Sequence, residues 1–195
     1  MKLTRDQEKL VTQAINGDRQ AFTALFNAYQ HPIYNFIYRM LGNDEEAADV
    51  TQEVFFKVYK KIQTLRDPGY FSTWLFSIAK NEAISLARQK KHKNHTSIDQ
   101  SDDDDVQRQI QDYSILDPDK KLLNEEFERI FQNILSELPD IYRIAFILGV
   151  LEGYSYEEVA KIMNCSVGNV KSRVFRARSR IAQKLNKIYS PQTFQ

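Results

Sequence analysis

The sequence contains one cysteine, Cys165, so no disulfide can form within the chain, and this usage fits a reducing cytoplasm. It has three histidines; His92 and His95 lie three apart with no cysteine nearby, so no zinc site is expected. No apolar run is long enough to span a bilayer. The first residues, Met1 to Glu8, lack the apolar core of a secretory signal. No nucleophile–base pair and no phosphate-cradling glycine loop is present. Asp102 to Asp105 offer carboxylates for a hard cation, as a nuclease would need. Consecutive carboxylates in an aperiodic stretch do not converge on one octahedral ion, so neither an enzyme nor a bound cofactor or metal is expected. No acidic residue follows Glu158. Net charge is +1, from 27 basic and 26 acidic residues, so only the distribution of charge bears on nucleic acid.

What is present is helical. Thr4 and Gln7 have capping-box spacing, opening a short helix that ends near Gly17. Asp18 caps a second helix, whose apolar residues run from Phe22 and Leu25 to Met40 and Leu41, with an interruption or kink expected at Pro32 and a stop at Gly42. Asp44 is expected to cap a third, with a buried stripe of Ala47, Val50, Val54, Val58 and Ile62. Asp67 to Gly69 is a turn, and a fourth helix runs from Ser72 into the basic residues Arg88 to Lys93. Residues 94–117 lose all periodicity and read as a flexible acidic linker. Periodicity returns through Leu122, Leu123, Phe127, Ile130 and Ile134 to Pro139, then through Ile141, Ile144, Ala145, Leu148 and Leu151 to Gly153. No strand pattern appears. The expected fold is all-α: two small helical domains, 1–93 and 118–195, joined by the linker.

Residues 155–181 read as a helix-turn-helix. Ser155 and Glu158 form a capping box; Asn164 suits a left-handed turn; Ser166 caps the second helix. Val170, Val174 and Ile181 anchor that helix inward. Lys171, Ser172, Arg173, Phe175, Arg176 and Arg178 remain for DNA. Lys171, Ser172 and Arg176 are the best candidates for base edges, where arginine grips guanine with two hydrogen bonds. Arg178, Arg180 and Lys184 suit phosphates.

Two further constellations lie in the N-terminal half. Asp49, Gln52, Glu53 and Phe56 share one helix face and suit a protein-docking surface, with Phe56 as its apolar anchor; a plain solvated face has the same pattern. From Tyr70 to Lys91, aromatic residues lead into a helix with a basic far end, a pattern that stacks unpaired bases and tracks phosphates. Tyr70 and Phe71 are the expected stackers, and Trp74 is at least partly core.

These pieces, in this order, resemble the extracytoplasmic-function sigma factors, promoter-specificity subunits of bacterial RNA polymerase. The resemblance rests on Asp49-x-x-Gln52-Glu53-x-Phe55, on Phe71 to Leu75 with Ile78, Ala79 and Asn81, on Leu138-Pro139 with Arg143, and on Tyr154 to Glu158 followed by Val167 to Arg173. It implies that Asp49, Gln52, Glu53 and Phe56 bind the clamp helices of the polymerase core. It implies that Tyr70, Phe71, Trp74, Lys80, Asn81 and Arg88 open and read the minus-ten element, with Asn81 near an extruded base. It implies that Lys171, Ser172, Arg173, Phe175, Arg176 and Arg178 read the minus-thirty-five element, while their domain packs on the flap tip. The linker would thread toward the RNA exit channel, its aspartates mimicking nucleic-acid charge. An anti-sigma factor is a further expected partner. One departure stands out: Ser85 occupies a place often held by Asp in an Asn-x-x-x-Asp-x-x-Arg pattern that Asn81 and Arg88 otherwise match. A repressor would share the C-terminal half but would need a ligand pocket or dimer face in the N-terminal one.

Overall fold

The computed structural model describes residues 4–96 and 118–189, with side chains for 4–90 and 126–189. Its α-helices are α1 (Arg5–Ile15), α2 (Arg19–Leu41), α3 (Asp44–Lys61), α4 (Phe71–Thr96), α5 (Pro118–Ser136), α6 (Asp140–Phe146), α7 (Tyr156–Met163) and α8 (Val167–Tyr189). No strand occurs among the described residues. The all-α expectation holds, with α1–α4 forming one helical half and α5–α8 the other. Of the expected linker 94–117, residues 94–96 are the end of α4, and the rest lies outside the described residues, as do Asp102 to Asp105.

Local chemistry sets the helix ends. Thr4 Oγ1 accepts from Gln7 N at 3.3 Å while Gln7 Oε1 accepts from Thr4 N at 2.9 Å. Asp18 Oδ1 accepts from Gln20 N and Ala21 N. Gly42 closes α2 at φ 73°, a left-handed backbone that glycine adopts without a Cβ penalty. Two expectations are corrected. Asn43, not Asp44, caps α3, accepting from Glu46 N at 3.0 Å; Asp44 instead accepts from Tyr34 Oη at 2.9 Å. Pro32 does not interrupt α2, which runs unbroken through it. The carbonyl its ring leaves without a donor belongs to Ala28, an exposed residue where water can serve, while buried Tyr29, Ile33 and Phe36 hold both sides of the proline in place.

The two halves share one core. Ile33, Phe36, Ile37, Phe71, Leu75 and Phe76 lie in the same buried cluster as Ile144, Ile147, Leu148, Tyr154 and Val159. Each large side chain fully buried there contributes roughly 1.5–3 kcal/mol of transfer free energy. Polar side chains seal the contact. Gln132 Nε2 donates to the carbonyls of Tyr38 and Arg39, and Arg143 Nη1 donates to that of Met40 at 2.6 Å, so the C-terminal half caps the end of α2. Ser72 Oγ and Tyr154 Oη are 2.5 Å apart, with Phe76 edge-on to the Tyr154 ring. A smaller cluster of Ile134, Leu135, Leu138, Phe146, Ala177 and Ile181 ties α5 and α6 to α8.

The helix expected from Ile141 to Leu151 changes character midway. After Phe146 it widens into a π-turn, Ile147–Leu151, with Glu152 N donating to Ile147 O at 2.9 Å. A Cβ on Gly149 would sit 3.4 Å from Tyr156 Cε1 and 3.6 Å from Val174 Cγ2, so this turn approaches α7 and α8 closely.

Candidate nucleic-acid interface

The helix-turn-helix forms as its residues require. Ser155 N donates to Glu158 Oε2 at 2.9 Å and Glu158 N to Ser155 Oγ at 3.3 Å. Asn164 is the one non-glycine residue with positive φ among those described, at 50°. Ser166 Oγ accepts from Asn169 N at 3.2 Å. Val159, Ala160 and Ile162 of α7 and Val170, Val174, Ala177 and Ile181 of α8 are buried. Helical geometry at about 100° per residue then fixes the opposite ridge of α8 as Ser172, Phe175, Arg176 and Ser179, all exposed. Lys171 and Arg178 flank it on one side, Arg173 and Arg180 on the other. Phe175 is 73% exposed.

Three of these arginines are already engaged. Arg173 Nη1 donates to Cys165 Sγ at 3.3 Å and lies 4.0 Å from Met163 Sδ, so it is held against the turn. Arg176 Nη1 donates to Tyr142 Oη at 3.0 Å, and the Arg180 guanidinium lies 5.0 Å from the Tyr142 ring centroid. The Arg176 hydrogen bond holds the Tyr142 phenol below its usual pKa range. Lys184 pairs with Glu137, which moderates its expected phosphate role. Sequence reasoning missed Tyr142 and Ser179. Ser179 is recoverable from helix phase; Tyr142 is 34 positions from Arg176 and carries no local signal.

On α4, Trp74, Asn81 and Arg88 share one stripe with Ser85 between the last two, by spacings of seven, four and three. Asn81, Ser85 and Arg88 are exposed and Trp74 is partly buried. Two expected residues lie elsewhere. Phe71 is fully buried, edge-on to Tyr29 at 5.4 Å, so its ring is not presented for stacking. Lys80 points to the other half, donating to Ile162 O at the end of α7 at 3.0 Å, and burial lowers its pKa. Tyr70, in the 3-10 turn Pro68–Tyr70 immediately before α4, is 46% exposed, and Lys161 of α7 lies 4.3 Å from its ring centroid. Thus α7 covers Lys80 and one face of Tyr70, while the Asn81–Arg88 stripe is open.

On α3, Asp49, Gln52, Glu53 and Phe56 are all exposed along one face, while Phe55 is buried. Glu53 pairs with Lys57 at 3.3 Å, and Lys57 with Glu82 at 2.6 Å. Phe56 is 53% exposed, and Lys60 Nζ stands 3.9 Å from its ring centroid. Phe56 thus stands as an exposed apolar ring within an acidic and polar face.

Comparison with known proteins gives two family matches and a set of full-length relatives. The Sigma-70 region 2 model matches residues 25–93, which hold the α3 and α4 faces; the Sigma-70, region 4 model matches 128–181, which hold the helix-turn-helix. The RNA polymerase sigma-H factor of Pseudomonas aeruginosa is 35% identical over 95% of this chain and 97% of its own length. The ECF RNA polymerase sigma-E factor of Escherichia coli is 34% identical over 92% and 94%. Among solved structures, the sigma factor RpoE in complex with the anti-sigma factor NepR from Bartonella quintana is 27% identical, with a TM-score of 0.68 over 85% of this chain and 96% of that one. CnrH in complex with the cytosolic domain of CnrY, at 22% identity, shares the fold, with a TM-score of 0.70 over 93% and 97%. No helix among the described residues is long and apolar enough to cross a membrane. The chain belongs to the extracytoplasmic-function sigma factors, non-enzymatic initiation factors that direct RNA polymerase to promoters.

Proposed function

We propose that this chain divides promoter recognition between its halves, 1–93 and 118–195, in the cytoplasm. The α3 face of Asp49, Gln52, Glu53 and Phe56 docks on the clamp helices of the polymerase core, and the C-terminal half packs on the flap. Trp74, Asn81 and Arg88 meet the minus-ten strand once it opens, with Tyr70 and Lys80 joining after α7 moves away. Phe71 supports that surface from within the core. Lys171, Ser172, Arg173, Phe175, Arg176 and Arg178 meet the minus-thirty-five element, where Phe175 has the exposure needed to pack on a thymine methyl. An anti-sigma factor is a proposed partner, supported by the complex in which the Bartonella relative was solved.

The observation that carries this reading is the outward ridge of α8, two serines, an arginine and an exposed phenylalanine between basic flanks, on a helix without one acidic residue.

Geometry adds a requirement. The two promoter elements lie about 25 base pairs apart, or about 85 Å at about 3.4 Å per base pair. A compact chain of this length has a radius of gyration of about 16 Å and is about 40 Å across. One molecule cannot touch both elements while its halves share a core, so the halves separate on the promoter.

Run-off transcription with core polymerase and a randomised promoter library tests the reading. Transcripts should depend on both proteins and enrich sequences at both elements; an absence of core-dependent transcripts would overturn it. Glu53→Lys should reduce core binding at least tenfold, because it reverses charge in the middle of the docking face. Binding that survives unchanged removes the α3 face from the contact.

A further inference from the structure

The recognition helix carries five arginines and lysines between Lys171 and Arg180, and among the described residues one of them, Arg176, has its guanidinium tied to an aromatic hydroxyl from a different helix. We propose that Tyr142, at the start of α6, is a positioning residue that sets the rotamer of Arg176 and so sharpens base choice at one position of the minus-thirty-five element.

The argument is geometric. Arg176 lies on the outward ridge of α8, beside Ser172 and Phe175. An exposed arginine ordinarily samples many rotamers and loses that freedom when it binds. Here Tyr142 Oη accepts one hydrogen bond from Nη1 at 3.0 Å. Arginine has five N–H donors, so four remain, including the pair on Nε and Nη2 that can meet O6 and N7 of guanine side by side. The anchor therefore fixes the fork without blocking it. Tyr142 is itself fixed: it packs against the cluster of Ile134, Leu135, Leu138 and Phe146, and Arg180 lies on its ring. A rigid acceptor on a packed helix restrains a mobile donor, which is how preorganisation lowers the cost of binding.

Restraint also bears on specificity. A free arginine can turn to a neighbouring acceptor when the preferred base is absent, whereas a held one leaves the wrong base unpaired. The proposal rests on the reading of Arg176 as a base-edge residue, and the test separates the two.

The test uses the full chain with core polymerase, selected on a library randomised across the upstream element, with Tyr142→Phe, Arg176→Ala and the double variant. Tyr142→Phe keeps the ring under Arg180 and removes only the hydroxyl. Arg176→Ala should flatten preference at one position. Tyr142→Phe should weaken preference at that same position by about threefold to tenfold, the range expected from releasing one ordered side chain. It should leave the other positions, the salt dependence of binding and the melting temperature unchanged. In the Arg176→Ala background it should do nothing further. If Arg176→Ala changes no position, the base-edge reading fails and the proposal with it. If Arg176→Ala flattens a position that Tyr142→Phe leaves sharp, the positioning role alone is overturned. A uniform loss of affinity in Tyr142→Phe, or an additive effect in the double variant, overturns it as well.

Discussion

Glu152 sits at the seam between the halves, where the π-turn ends. Burial raises its carboxyl pKa, against the opposing pull of the Arg39 guanidinium. A carboxyl whose folded value is raised contributes stability that is complete below the unfolded pKa and lost as pH rises through the folded one. Glu152 therefore favours the folded chain in acid and works against it at neutral pH. Glu152→Gln should raise the melting temperature slightly at pH 7, and this gain should vanish at about pH 4, near the unfolded value. A melting series from pH 4 to 8 checks both ends; a gain that does not change with pH would contradict this account. The same scale shows how far single residues are readable from sequence. Phe55 and Phe56 separate cleanly, one buried and one exposed, because both lie inside a regular helix whose phase is set by its apolar stripe. Tyr70 and Phe71 do not separate in that way. A 3-10 turn ends between them, so helical phase extrapolated backward from α4 gives no answer, and Phe71 is buried where it was expected to stack.

At the scale of the element, the helix-turn-helix depends on its bend. Asn164 holds φ 50° and ψ 56°, and its N–H reaches back to the α7 carbonyls. A β-branched residue is strained there, whereas glycine is not. Asn164→Val should cost about 1–2 kcal/mol and weaken upstream-element binding, while Asn164→Gly should lie close to the parent. Chemical denaturation read alongside binding to a minus-thirty-five duplex checks the pair. Equal behaviour of the two variants would mean that the turn is not under conformational control. This element was legible because caps, turn residue and inward anchors all fall at fixed local spacings. The π-turn after Phe146 was not legible. What marks it is the close approach of Gly149 to Tyr156 and Val174, a tertiary condition on a sequence that otherwise continues a helical pattern. Asn43 and Asp44 both accept hydrogen bonds well, so the sequence does not separate them as caps; in the fold Asp44 is taken by Tyr34 Oη and Asn43 accepts from Glu46 N.

At the scale of the molecule, two helical halves were foreseen and their shared core was not. The apolar residues that join them, Phe76 and Tyr154 among others, sit on stripes that each half alone would also bury. The polar ties are less ambiguous once seen. Arg143 is buried and makes hydrogen bonds to Met40 O and Leu138 O and an ion pair with Asp140 at 2.8 Å, while Gln132 takes two more carbonyls of α2. Such contacts frame the apolar core that the halves share, so contacts made with polymerase and promoter must outweigh both for the halves to part. The account's central claim is that these halves close on each other in the free chain and part on the promoter. The most direct measurement is a distance between labels at two exposed sites, Asn27→Cys on α2 and Asn186→Cys on α8, in a Cys165→Ser background. The free chain should give one short distance, within about 40 Å. The complex with core polymerase and promoter should give a distance approaching the span of about 85 Å between the two elements. A distance that stays short in a transcribing complex would contradict the account.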